Sequence, residues 1–195
     1  IEGLPAWVLV SYMPVVDENG IIIGANVVTK DITERKKAEQ EKDHVNYLLN
    51  ERVKELTTVH KVSQILQADD KPVETVLQEI VSILPQGWQY PAIAAARIVL
   101  EKSEFSTPNF INGPHKQSAK FQLTNDENCE VEVVYLEETP EESEGPFLAE
   151  ERNLINMVAE MLRIYFIRKS AGEQLLNEKN LSDSVINSLP GVFYF

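Results

Sequence analysis

Apolar and polar positions recur with two different periods along this chain, and the switches between them mark its parts. Trp7–Val16 (WVLVSYMPVV) and Ile21–Lys30 (IIIGANVVTK) are rich in β-branched and aromatic residues and flank Asp17-Glu18-Asn19-Gly20. An Asn-Gly step between two β-prone runs predicts a hairpin, because both residues tolerate the positive φ of a tight turn. Two strands alone are marginal in water, so this pair calls for a partner sheet. Asp31-Ile32-Thr33-Glu34 then changes the pattern from strand to helix. Asp31 or Thr33 can cap the first free N–H groups, Asp31 and Glu34 have capping-box spacing, and Glu34 suits the helix dipole.

From Glu34 to Gln67 the chain has no Gly or Pro. Val45, Leu49, Leu56, Val59 and Leu66 follow steps of three and four, with Arg52 and Ser63 at the remaining seam positions. This is a heptad seam with polar breaks, long enough for a short parallel coiled coil or a helix pair. Val62 and Ile65 add a second apolar stripe, as expected where a helix joins a globular unit. Pro72 opens a further helix over Val73–Leu84, ended by Pro85-Gln86-Gly87. Ile93–Glu101 predicts a buried strand, Phe105–Pro114 a loop or irregular edge, and Gln117–Leu123 and Glu130–Glu137 two more strands about a turn. In the last of these Val131, Val133 and Tyr135 share one face, Glu130 and Glu132 the other. A helix from near Pro146 to Leu189 follows, with Gly172 its weak point. Leu148, Ile155, Leu162 and Leu176 recur in it at multiples of seven, with Val158 and Tyr165 beside them. The chain ends in a turn entering the aromatic run Val192–Phe195.

Charge refines this layout. The 195 residues hold 31 acidic and 18 basic side chains, a net charge of −13. Thr124–Glu151 holds eleven acidic residues and no Lys or Arg, which predicts a solvated loop beside an acidic strand. Glu34–Lys61 interleaves seven basic with six acidic residues, as suits an exposed helix with pairing across turns. So acidic a chain does not bind nucleic acid by bulk charge. One Cys excludes an internal disulfide framework and a Cys-rich zinc site. No apolar run approaches a membrane span, since Arg97 interrupts the best one, so no direct membrane contact is expected. No cationic, apolar leader opens the chain, and a first residue of Ile is what an excised piece of a longer parent would show.

Three stretches resemble sensory families. Trp7–Glu39, with WVLVSYMPVVDENG, IIIGANVV and above all DITERKKAE, resembles the C-terminal end of a PAS domain, whose last strands lead through a DIT motif into an output helix. SDSVINSLPGVFYF resembles the start of a second PAS domain. Between them, LTTVHKVSQIL and FLAEERNLINMVAEML resemble the flanking helices of a GAF domain, and the order of helices and strands fits that family. The resemblance implies an α+β fold: a small GAF-like antiparallel sheet with helices, bracketed by long coiled-coil-like signalling helices. It divides the chain into PAS strands at 1–33, a linker helix at 34–55, a GAF-like domain at 56–169, a linker helix at 170–186 and a second PAS start at 187–195. The stretch from Glu101 to Gln117 is the only room for the loops that enclose a ligand in the family, which implies little or no pocket. Cys129 lies away from the usual bilin-attaching position.

By this resemblance the parent is a cytoplasmic prokaryotic sensor such as a histidine kinase. The kinase itself is not in these residues: no ATP-binding Gly-rich stretch is present, and neither His44 in EKDHVNY nor His60 in TVHKVSQ has a phospho-acceptor context. The chain is therefore expected to relay and not to catalyse, with no cofactor. Its expected partners are a second copy and the other signalling domains of the parent. Asp31, Thr33 and Glu34 would transmit the signal, while Val45, Leu49, Arg52, Leu56, Val59, Leu66, Ile155 and Leu162 would form the dimer seam. The alternative is a small-molecule-binding GAF-type sensor, with Trp88, Tyr90 and Arg97 as its candidate pocket and its ligand unknown. Aromatic residues beside a strand more often belong to a core. His60 reads better as a solvated helix residue than as a pH switch. Glu137–Glu144 lacks a ligand pattern and reads as an acidic loop, not a metal site.

Overall fold

The computed structural model describes residues 7–68, 71–100, 103–113, 115–123 and 127–188. The expected aromatic strand at the C-terminus lies outside them. Two compact units divide the chain, Ile1–Asn50 and Glu51–Phe195.

In the first unit β1 (Val8–Val16) and β2 (Ile22–Asp31) form an antiparallel hairpin, with Val8 opposite Asp31 and Met13 opposite Asn26. The register slips between Val15 and Val16, so β2 carries an extra residue there. The connection is wider than a two-residue turn because the Asp17 carboxylate organises it. One of its oxygens accepts the N–H groups of Asn19 and Ile21, both at 2.9 Å. Gly20 takes the expected positive φ, +78°. Tyr12, Met13, Ile22, Ile23, Val27 and Val28, which lie on both faces of the hairpin, are all exposed.

Helix α1 (Thr33–Gln67) begins in the first unit and continues into the second. There a sheet of four antiparallel strands is ordered β4-β3-β6-β5: β3 (Ala94–Leu100), β4 (Ser103–Ser106), β5 (Lys116–Gln122) and β6 (Asn128–Tyr135). α2 (Val73–Ile83) runs into a 3-10 turn at Leu84–Gly87, and α3 (Ala149–Ser188) closes the described chain. β4 starts before the stretch expected to be a loop or irregular edge and takes in its first two residues, Phe105 and Ser106; it exists because Arg97–Leu100 of β3 pair with it in register.

The alternation of side chains in the strands sorts the sheet into two faces. Ala96, Ile98, Val131, Val133 and Phe121 point into one core with Val76, Leu77, Ile80 and Val81 of α2. Leu154, Ile155, Val158 and Leu162 of α3, and Val62 and Leu66 of α1, join the same core. Trp88 is fully buried within it. The architecture is thus α+β, with helices against one face of a small antiparallel sheet.

Candidate functional site

The joint between strand and helix is built from Asp31 and Thr33. Helix α1 starts at Thr33, so its first amides need acceptors from the preceding residues. Asp31 Oδ1 accepts the Thr33 N–H at 2.8 Å, and Thr33 Oγ1 accepts the Trp7 N–H at 2.9 Å. Ile32 donates its N–H to the Trp7 carbonyl at 2.8 Å. The start of β1, the end of β2 and the first turn of α1 therefore meet at one point. Thr33, through its hydroxyl and then its amide, holds the Asp31 carboxyl below its ordinary range. Glu34 lies in the same first turn, where the helix dipole favours it.

The expected dimer seam is split by the structure. Val45, Leu49 and Leu56 are exposed, Leu56 to 58%, and Val59 is half-buried. Arg52 is exposed and donates to the buried Glu55 carboxylate at 2.6 Å. Leu66, Ile155 and Leu162, expected at the same seam, are instead in the core of their own chain, the last two fully buried. The physical reason is that α3 has apolar residues on two sides. The stripe through Ile155 and Leu162 turns into the core shared with α2 and the sheet. The outward stripe is Met157, Met161, Ile164, Arg168 and Leu175, of which Met157, Ile164 and Leu175 are exposed. Steps of four and three joined these residues in the sequence, but nothing local distinguished them from the buried stripe.

Helices α1 and α3 run side by side in the same direction where they meet. Thr58 and Leu154 both approach Gly87, and a turn or more later Arg168 Nη2 donates to the Leu66 carbonyl at 2.8 Å. Ser63, Leu66, Met161, Ile164 and Arg168 line a groove of about 160 Å³ between them. Ile164, at its edge, is exposed.

Trp88, Tyr90 and Arg97 do not converge on one pocket. Trp88 is in the core, its Nε1–H donating to the buried Gln117 at 3.3 Å. Tyr90 packs edge-on to Tyr135, with ring centres 5.6 Å apart. Arg97 faces the other side of the sheet, where Nε donates to Glu132 at 2.8 Å, Nη2 also reaches that carboxylate, and the guanidinium lies over the Phe110 ring. Lys116 Nζ donates to the second Glu132 oxygen at 3.0 Å. Burial pushes the Glu132 carboxyl up, but the bonds from Lys116 and Arg97 outweigh it and hold the group below the ordinary value. Larger grooves lie elsewhere. One of about 690 Å³ runs along the outer flank of α2 past Ile65, Gln78, Ile83 and Phe105. Another of about 450 Å³ lies beside Val73, Leu123 and Phe166.

A second polar cluster went unnoticed in the sequence. Glu151 is buried at the start of α3, where Oε1 accepts the Gln89 N–H at 2.6 Å and the Tyr135 hydroxyl at 2.9 Å. Its other oxygen accepts the Leu148 N–H at 2.7 Å and so caps the helix. Burial raises the Glu151 carboxyl above its ordinary value despite these donors, and burial beside Glu151 raises the Tyr135 phenol in turn. Position three of a helix was the only available signal, in a stretch whose many acidic residues hid it.

Among the described residues no three His, Cys, Asp or Glu side chains gather as metal ligands, and no helix is long and apolar enough to cross a membrane. Compared with known proteins, the chain matches no family model, and no curated protein is significantly similar to it.

Proposed function

We propose that this chain is a signal-transmission segment of a cytoplasmic multidomain sensor, joining the end of a PAS domain to a GAF-like unit and a second PAS domain. Two copies pair in parallel along α1 and α3 and relay a conformational change towards an output such as a histidine kinase. The observation that carries this reading is the pair of exposed apolar stripes, Val45, Leu49 and Leu56 on α1 and Met157, Ile164 and Leu175 on α3. Both helices point the same way where they meet, so a second copy related by a two-fold axis parallel to them adds a parallel partner to each. The Asp31–Thr33 joint supports the input side, since it ties both strands of the hairpin to the first turn of α1. Arg52 and Arg168 interrupt the stripes, which keeps the pairing close in energy to alternative packings and therefore switchable.

The alternative, a small-molecule sensor, has less support. Arg97 is committed to Glu132, and Trp88 lies in the core. Catalysis is assigned to the parent and not to this segment. Sedimentation of the wild-type chain and of a Leu56→Asp/Ile164→Asp variant tests the reading. A wild-type dimer that becomes a folded monomer on substitution is expected; a wild-type monomer at every accessible concentration overturns it.

A further inference from the structure

The face that α1 turns towards the second unit changes character along its length. Glu51, Lys54, Glu55 and Thr58 come first and are polar, and only from Val62 is the face apolar. Apolar contacts tolerate small slides of one helix past another, whereas hydrogen bonds fix direction and register. The polar turns of α1 meet the segment Gly87–Gln89. Lys54 Nζ donates to the Gln89 carbonyl at 3.3 Å and to Glu51 at 2.7 Å. The N–H of the same Gln89 donates to Glu151, which caps α3 through the Leu148 N–H.

One helical turn further on, the same segment is gripped again. A Cβ on Gly87 would lie 2.9 Å from Thr58 Oγ1 of α1 and 2.7 Å from Leu154 Cδ2 of α3. Gly87 is thus wedged between the two helices, and Gln89 is hydrogen-bonded to both. Because Glu151 is buried, water does not replace a lost donor there, so the cap depends on where Gln89 stands.

We propose that the segment Leu84–Gln89 is a coupling element, threaded between α1 and α3, through which the position of α1 sets the N-terminal cap of α3. This rests on the transmission reading and names the part of the fold that carries it. A displacement of α1 moves Lys54 and Thr58, these move Gln89 and Gly87, and the Glu151 cap tightens or loosens the first turn of α3.

Hydrogen–deuterium exchange on the full 195-residue chain tests the coupling in Lys54→Met and Lys54→Arg variants. Lys54→Met keeps the length of the stem and removes the donor. It is expected to speed exchange of the Leu148 amide roughly fivefold, the order that one hydrogen bond accounts for, although Lys54 has no hydrogen bond to Leu148. Lys54→Arg retains a donor and is expected to return exchange towards wild type. Acceleration confined to α1, or equal acceleration in both variants, overturns the proposal. Sedimentation of the same samples separates the two readings. A monomer with the Leu148 effect refutes pairing and leaves the coupling, and a dimer without that effect does the reverse.

Discussion

Replacing Glu132 by alanine removes the acceptor on which the outer face of the four-stranded sheet is organised. The Glu132 side chain is 3% exposed, that of Arg97 18% and that of Lys116 54%. The Lys116 pair is therefore largely solvated and contributes under about 1 kcal/mol. Arg97 carries most of the cost, because it loses both of its bonds to Glu132 while still sheltered from water. Breaking a fully buried pair costs about 3–5 kcal/mol. Arg97 keeps a longer contact to Glu104 at 3.4 Å and its place over the Phe110 ring, so the lower end, about 3 kcal/mol, is expected. Urea denaturation at neutral pH reads this as a lower midpoint with an unchanged slope. An Arg97→Met/Glu132→Leu double variant removes both charges together and is expected to lie within about 1 kcal/mol of wild type. A double variant as unstable as Glu132→Ala, or a Glu132→Ala variant with a wild-type midpoint, refutes the account of this face as a self-paired structural layer.

Four further outcomes are expected. Burial raises the Glu151 carboxyl above its ordinary 4.5, so its stabilising effect is full below that value and is lost as pH rises through the folded-state value. Stability titrated from about pH 4 to pH 7 should then fall less with pH in Glu151→Gln than in wild type, and parallel curves contradict the shift. Glu132 is depressed and has the opposite sign: its contribution is present above 4.5 and is lost as pH falls through the lower folded value, so Glu132→Gln should flatten the acid limb. Gly87→Ala places a methyl against Thr58 and Leu154 and should destabilise by about 1–3 kcal/mol, with an unchanged melting temperature as the contrary result. Asp31→Ala removes the acceptor of the Thr33 N–H, so exchange of that amide should quicken while the amides of α2 stay protected.

Local chemistry determined much of this molecule. The hairpin, the start of α1 at Thr33 and the extent of α2 follow from turn residues, caps and apolar spacing within a few positions of each other. The division of β6 into an apolar and an acidic face is equally local, since successive side chains alternate whatever lies beyond the strand. Tertiary structure alone decided which apolar stripe is covered. Ile155 and Leu162 have the same seven-residue recurrence as Met157 and Ile164, and only the presence of α2 and the sheet buries the first pair. It also made β4 a strand just ahead of a Pro- and Asn-rich stretch, because a strand is defined by its partner. The destinations of Arg97 and Glu151 belong to the same class. Their charges are visible in the chain, but their partners Glu132, Gln89 and Tyr135 are set by long-range pairing. Periodicity reports that a face is apolar or a position charged; which neighbour meets it depends on contacts between residues far apart in sequence.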